Sequence, residues 1–234
     1  MKTPNPTPGI QRYGTTLVLS GPSGAGKTTL YREVISETAH LHFSVSCTTR
    51  PPREGEQEGR DYYFLDPDTF RSKIQDGAFL EYANVHGHYY GTLCSEVSKH
   101  VETGSDIILD IDVQGARQIR GKATLPLLDR SLTTVFVAPP SLREMERRLR
   151  SRATDDEETV RRRLTNARRE LEAWTEYDFI VVNHDINAAA RELSLIIESQ
   201  KLATQRILSP PPSHSSFCSK ARSHTKTPLT LRGR

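Results

Sequence analysis

The sequence predicts an α/β fold: a mainly parallel sheet flanked by helices, interrupted by an inserted lobe and by a charged helical segment. Three observations predict it. Short apolar runs alternate with amphipathic segments, and strands separated by helices imply right-handed crossovers. A glycine-rich turn joins the first apolar strand to the first helix. A tyrosine-rich stretch over 43–92 breaks the strand–helix rhythm, as an insertion would.

The elements follow in order. "TTLVLSG" is a strand, and a helix runs from about Lys27 to Glu37. "FSVSC" and "DYYFL" are strands on either side of a polar loop. Asp66-Pro67 opens a short helix through about Gln75, with proline at a permitted first-turn position. "FLEYANV" and "HYYGT" form a small β region, and a helix covers about Ser95–Glu102. "DIILDID" and "TTVFVAP" are buried strands. Ser141-Leu142-Arg143-Glu144 carries a capping-box signature for a helix toward Arg150. A second charged helix begins near Asp156, "DFIVVN" is the last strand, and a final helix spans about Asp185–Gln205.

Composition sets bounds. The 234 residues suffice for one domain with tails. No stretch approaches the ~20 apolar residues of a membrane span. Residues 1–14 are proline-rich, which predicts a flexible extension without a signal-peptide core. Cys47, Cys94 and Cys218 form no C-x-x-C pair and no metal spacing, so reduced thiols in a cytoplasmic protein are expected. The formal charge is +3, yet residues 207–234 hold five Lys or Arg and no acid, so the rest of the chain stands at −2. The basic balance is a tail property and predicts neither nucleic-acid nor membrane binding by the folded part. That Pro/Ser-rich basic tail is expected to be disordered.

"GPSGAGKTT" at Gly21-Pro22-Ser23-Gly24-Ala25-Gly26-Lys27-Thr28-Thr29 matches G-x-x-x-x-G-K-[ST] between a strand and a helix. Glycines let backbone N–H groups approach phosphate oxygens, and the helix N-terminus adds positive potential. Lys27 is placed to reach the β- and γ-phosphates of a nucleoside triphosphate, and Thr28 to ligate Mg²⁺. The expected architecture is thus a P-loop NTPase-like sheet. Asp110 and Asp112 stand at the end of a strand, where ligands of open α/β sheets bind. A period of two puts both carboxylates on one strand face, so we expect them to share a site.

The motif does not say where the phosphate goes. "SCTTRPPREGEQEGRDYYF" places Arg50 and Arg53 three apart in a proline-stiffened loop. Two guanidinium forks suit a dianionic phosphate, and Tyr62 and Tyr90 add phenolic donors. Pairing of these arginines with Glu54, Glu56 and Glu58 on a solvated loop is the alternative reading.

Taken in order after "GPSGAGKTT", the segments "SCTTRPPREGEQEGRDYYF", "FLEYANVHGHYYGT" and "ILDIDVQG" resemble the guanylate kinase family over about Thr15 to Lys201. The resemblance implies a P-loop fold with an inserted nucleoside-monophosphate-binding lobe (about 45–92) and a helical lid (about 140–176), within a domain over 15–206. It implies transfer of phosphate from ATP to GMP, giving ADP and GDP with Mg²⁺, in purine nucleotide metabolism and GMP recycling. The partners are then ATP and GMP, and the chain a monomer or homodimer. Arg50, Arg53, Tyr62 and Tyr90 match the family's phosphate-binding positions, and Ser46, Glu81 and Thr92 match its guanine contacts. Asp110 and Asp112 match its strand-end acids. We place Asp112 with GMP and Asp110 with Thr28 at the metal, the division between the two acids staying open. Cys47 falls at a variable position and receives no role. Guanylate-kinase-like binding modules keep the fold without catalysis, but their phosphate loop is degraded and this one is intact. Ser46 and Glu81 in place disfavour a non-guanine acceptor.

"RRLRSRATDDEETVRRRLTNARRE" is the most charged stretch. Intrahelical i,i+4 pairs Glu157–Arg161 and Glu158–Arg162 are expected, whereas Arg163 has Thr159 at i−4. We expect local pairing to leave the Arg163 side chain available. The resemblance implies that Arg148, Arg152 and Arg163 come from the lid and face the transferring phosphates, as catalytic cations beside Lys27. Glu144 competes for Arg148.

Overall fold

The computed structural model describes residues 11–208, apart from residue 86 and residues 151–156. A five-stranded sheet forms the centre. Its strands are β1 (Thr16–Ser20), β2 (Leu41–Phe43), β7 (Asp106–Asp110), β8 (Leu132–Ala138) and β9 (Phe179–Val182), in the spatial order β2-β7-β1-β8-β9. Every pairing in it is parallel. Parallel strands need crossovers, and helices supply them on both faces.

Strand period divides the core. Leu17 and Leu19 of β1 face one side, against α1 (Lys27–Glu37) and α8 (Ile186–Lys201) through Leu30, Val34, Leu193 and Ile197. Val18 faces the other side with Ile107 and Leu109. It meets α3 (Cys94–Val101), α4 (Val113–Gly121) and α5 (Pro126–Asp129). All five residues of β1 are buried, which places the end of β1 and the turn after it at the centre of the molecule. The chain crosses from β7 on one side of β1 to β8 on the other, so the C-terminal ends beside β1 form the switch-point crevice of an open α/β sheet.

A second, four-stranded sheet makes the inserted lobe. It orders β4 (Tyr63–Phe64), β3 (Cys47–Thr48), β6 (His88–Leu93) and β5 (Phe79–Val85). Helix α2 (Pro67–Gln75) covers it. Phe70 stacks on Phe79 at 4.4 Å and on Tyr89 at 5.3 Å between ring centroids. Pro67 stands at its first position, and the Asp66 carboxylate accepts the N–H groups of Asp68 and Thr69.

The expected single strand "FSVSC" is two strands in two sheets. Leu41–Phe43 pairs with β7, and Cys47–Thr48 pairs with β4 and β6. Between them the chain leaves the core, with the Ser44 N–H held by the Ile108 carbonyl and the Val45 N–H by the buried Glu96 carboxylate. Helices α4 and α5 were not foreseen. The capping box at Ser141 forms in half: the Ser141 hydroxyl accepts the Glu144 N–H at 3.1 Å at the start of α6 (Leu142–Arg150). The Glu144 carboxylate instead binds Arg147 and Arg148. The second charged helix, α7 (Glu157–Leu171), packs Leu164, Ala167 and Leu171 on Met145 and Leu149 of α6.

Candidate active site

The glycine-rich turn leaves β1 at the crevice and enters α1. Gly26 has φ +90°, and the Asn183 side-chain amide packs where a β-carbon would stand. Only glycine meets both conditions without strain. That amide donates to the Ala25 carbonyl at 2.9 Å. Lys27 folds back along the turn, donating to the Gly21 carbonyl at 2.8 Å, and lies 3.8 Å from Asp110 Oδ1. Burial raises the Asp110 carboxyl above its ordinary range, and the Lys27 ammonium pulls it back. A cavity of about 250 Å³ opens here, lined by the turn from Gly21 to Thr28 with Asp112 and Glu170.

The expected pairing of two acids on one strand face needs correction. Strand β7 ends at Asp110. Asp112 is the N-cap of α4, its carboxylate accepting the Gly115 N–H at 2.7 Å. An extended pair would leave both side chains parallel. Starting α4 at Val113 instead commits Asp112 to its own helix. It still lines the phosphate-loop cavity, whereas Asp110 is the acid beside Lys27.

The lobe gathers most of the residues expected to bind the phosphate acceptor. Glu81 and Thr92 are cross-strand partners, and the Thr92 hydroxyl donates to Glu81 Oε1 at 2.7 Å. Glu81 is 8% exposed. Burial pushes its carboxyl up, with Asp112 adding to the rise and the Thr92 hydroxyl opposing it. A β-carbon on Gly115 would stand 3.0 Å from Glu81 Oε2, so the glycine leaves room for the carboxylate. Ser46 is half-buried at the lobe entrance. Tyr62 and Tyr90 meet edge to face at 6.0 Å, and the Arg50 guanidinium lies over the Tyr62 ring at 5.5 Å.

The glutamate-pairing reading of the arginine loop holds for Arg50 and Glu56. Arg50 joins the aromatic pair, and it also binds both Glu56 carboxylate oxygens at 2.8 and 3.0 Å. Glu56 accepts the Arg53 N–H as well, at 2.7 Å. The Arg53 side chain is exposed. Hydrogen bonds to Arg50 and to the Arg53 N–H hold the Glu56 carboxyl below its ordinary range.

Among the charged-helix arginines, Arg148 reaches the phosphate loop. It donates to the Ala25 carbonyl at 3.4 Å and the Asn183 carbonyl at 3.1 Å, while Glu144 takes its Nε at 2.8 Å. Arg163 is half-buried, and it already makes an interaction here, against the expectation from i,i+4 spacing. Arg152 lies outside the described residues, as do the side chain of Glu157 and the helix start expected near Asp156.

Glu170 and Asn183 escape the sequence reading. Asn183 had a signal: it follows the last strand at its C-terminal end, where ligands bind. Glu170 reads as an ordinary solvated acid, because only the folded chain brings it into the cavity lined by Ser23.

A loop of backbone N–H groups with a lysine at the end of the central parallel strand, and a separate lobe of arginines, tyrosines and a buried acid, define a P-loop α/β kinase. The family model described as guanylate kinase matches residues 13–200, and the chain belongs to the guanylate kinase family. It is 44% identical over 200 residues to a guanylate kinase of Bradyrhizobium diazoefficiens, covering 86% of this chain and 89% of that one. A guanylate kinase of Sulfurimonas denitrificans is 44% identical over 191 residues, covering 82% and 90%. The crystal structure of guanylate kinase from Anaplasma phagocytophilum superposes with a TM-score of 0.66 at 32% identity, covering 85% and 92%.

Proposed function

We propose that this chain transfers the γ-phosphoryl group of ATP to GMP, giving ADP and GDP. The single observation that carries the reading is that Asp112 stands between the phosphate loop and the lobe. It lines the phosphate-loop cavity, and Gly115, whose N–H its carboxylate accepts, lies against Glu81, the buried acid of the lobe. In this reading the loop from Gly21 to Thr29 cradles the donor phosphates. Lys27 reaches them by leaving its Gly21 carbonyl, and Arg50, Arg53, Tyr62 and Tyr90 hold the 5′-phosphate of GMP. Glu81 accepts from guanine N1–H and N2–H₂, the Ser46 hydroxyl donates to O6, and Thr92 keeps Glu81 oriented.

The residues present fit a magnesium ion. Thr28 and Asp110 offer hard oxygen donors, and no cluster of three metal-ligating side chains occurs among the described residues. Mg²⁺ held by one or two protein oxygens plus phosphates needs no more. When bound, it neutralises charge on the β- and γ-phosphates. The protein aligns the acceptor oxygen with the γ-phosphorus and offsets charge through Lys27, Arg148, Arg152 and Arg163. Little covalent chemistry is asked of the side chains. Closure of the lid (140–176) over the lobe (45–92) excludes water, so that the phosphoryl group goes to GMP. The reading includes a cytoplasmic enzyme, and no helix among the described residues is long and apolar enough to cross a membrane.

A coupled ADP-release assay with MgATP and each nucleoside monophosphate in turn tests it. We expect turnover with GMP and at least 10⁴-fold lower kcat/KM with AMP, roughly the discrimination that unpaired buried polar groups impose. Comparable turnover with AMP, CMP or UMP, or none with GMP, overturns the reading.

A further inference from the structure

We infer that Glu170 competes with the nucleotide phosphates for the donor cradle, as an internal anion that the triphosphate must displace. The inference rests on reading Gly21–Thr29 as the donor site. Glu170 sits near the end of α7 and enters the cavity lined by Ser23, Lys27 and Thr28. Its carboxylate shares that cavity with Ser23 and Lys27, and both the Ser23 N–H and the Lys27 ammonium favour its ionised form. A loop N–H and a lysine are the groups that phosphate oxygens use in such a cradle.

The placement is costly by itself. Burial and the negative charge of Asp112 both disfavour the ionised carboxylate, and Lys27 and the Ser23 N–H offset them. A phosphate arriving on the same donors adds like charge at close range and takes away those two compensations. The Glu170 side chain then has to leave. Its departure is felt by the lid helices, because α7 packs on α6 through Ala167 and Leu149, and Arg148 of α6 grips the loop at the Ala25 carbonyl. Glu170 thus links occupancy of the cradle to the helices that carry Arg148 and Arg163.

The test is nucleotide binding by the full chain. ADP is titrated with and without Mg²⁺, read by calorimetry or by the chain's single tryptophan, Trp174, in the turn after α7. Glu170→Gln should tighten metal-free ADP by about fivefold, the factor that one water-screened repulsion across ~4 Å is worth, and slow ADP release. Glu170→Ala should act in the same direction, so a folding failure of one variant leaves the other readable. A merely structural role would not produce tighter binding. Unchanged or weaker metal-free affinity in both variants overturns the competition. A loss of affinity confined to MgADP also overturns it, and assigns Glu170 to the metal. Lys27→Ala is titrated alongside. If it binds ADP as tightly as the native chain, the donor-site reading itself fails. If it binds weakly while the Glu170 variants are unchanged, the competition alone fails.

Discussion

At the residue scale the chemistry depends on groups whose environments oppose their ordinary behaviour. Lys27 is the single side-chain cation of the phosphate loop, and its fold-back onto the Gly21 carbonyl keeps it over the cradle. Lys27→Ala should abolish phosphoryl transfer with an unchanged circular dichroism spectrum. Near-native kcat in a folded variant would remove it from the donor site. Glu81 is the residue with most at stake on the acceptor side. In the role proposed for it, its ionised form accepts from guanine, whereas its protonated form would turn a donor toward guanine's donors. Burial raises its carboxyl above the ordinary range. On that proposal, guanine recognition is present above that raised value and lost as pH falls through it. We expect kcat/KM for GMP to show an acid limb above the ordinary glutamate range. Glu81→Gln should remove that limb, and Glu81→Ala should collapse the GMP/AMP ratio. An acid limb that survives in Glu81→Gln would move the titration to Asp110, Asp112 or Glu170. Little of this was visible in the spacing of the residues themselves. "GPSGAGKTT" announces its backbone requirement, because glycine and lysine at fixed offsets reflect local geometry. The selectivity of Glu81 came from the family resemblance, and its burial from the fold.

At the element scale the charged helices decide the outcome. α7 carries residues of two kinds: Arg161 is exposed, whereas Arg163 is half-buried. Arg163→Ala should lower kcat about 10²-fold or more while changing KM for GMP little. A cation acting on charge that develops in the transition state behaves in that way. Arg161→Ala should be nearly silent. Equal, small effects in steady-state assays of both variants would make Arg163 part of a solvated helix face. Element types follow from periodicity where the pattern is long, as in β1, α1 and α2. The strand over Phe43–Cys47 failed for a physical reason. Strand period alone cannot tell that residues 44–46 pass between two sheets, because their hydrogen-bond partners, Ile108 and Glu96, are far away in sequence. Helix α4 escaped for a related reason: Asp112 read as a strand-end ligand, and its role as N-cap depends on the chain turning after Ile111.

At the scale of the whole molecule, the end of the sheet opposite the site is closed by two arginines. Arg206 is fully buried. It donates to the Arg130 carbonyl at 2.8 Å, Thr15 Oγ1 at 2.9 Å and Thr133 Oγ1 at 2.7 Å, with further bonds to Gln200 and Ser131 carbonyls. Arg12 pairs with the buried Asp106 at 3.0 and 3.2 Å. Beyond Arg206, Ile207 bridges Arg12 and the Leu208 N–H donates to the Gln11 carbonyl at 2.8 Å. Arg206→Ala strands several buried acceptors and should cost about 3 kcal/mol, or roughly 10 °C in Tm. KM for both substrates should stay native in the folded fraction, since the site lies at the other end of the strands. A Tm within about 2 °C of native would show the cluster to be energetically neutral, as some buried charge networks are. A chain of residues 11–208 should keep native Tm and activity. One ended at 206 should lose stability, because it gives up the pairing of Ile207 and Leu208. Equal melting temperatures for the two would assign that pairing no energetic role.

What the sequence determined by itself is whatever local chemistry writes into neighbouring residues. The phosphate loop, the proline-started helix at Asp66, the apolar strands of a parallel sheet and the ordered segments resembling guanylate kinases all belong to that class. Only the tertiary structure decided which groups far apart in sequence meet at the phosphate loop. Asp110 faces Lys27, Arg148 reaches the Ala25 carbonyl, and Glu170 enters the cavity lined by Ser23. The reason is the range of the forces. Backbone preference and hydrophobic period act over a few residues and leave a mark at each position. A pair close in sequence, such as Arg50–Glu56 or Glu144–Arg148, can be read from spacing, but one between distant segments depends on distance in space and leaves no mark until the sheet has brought the partners together.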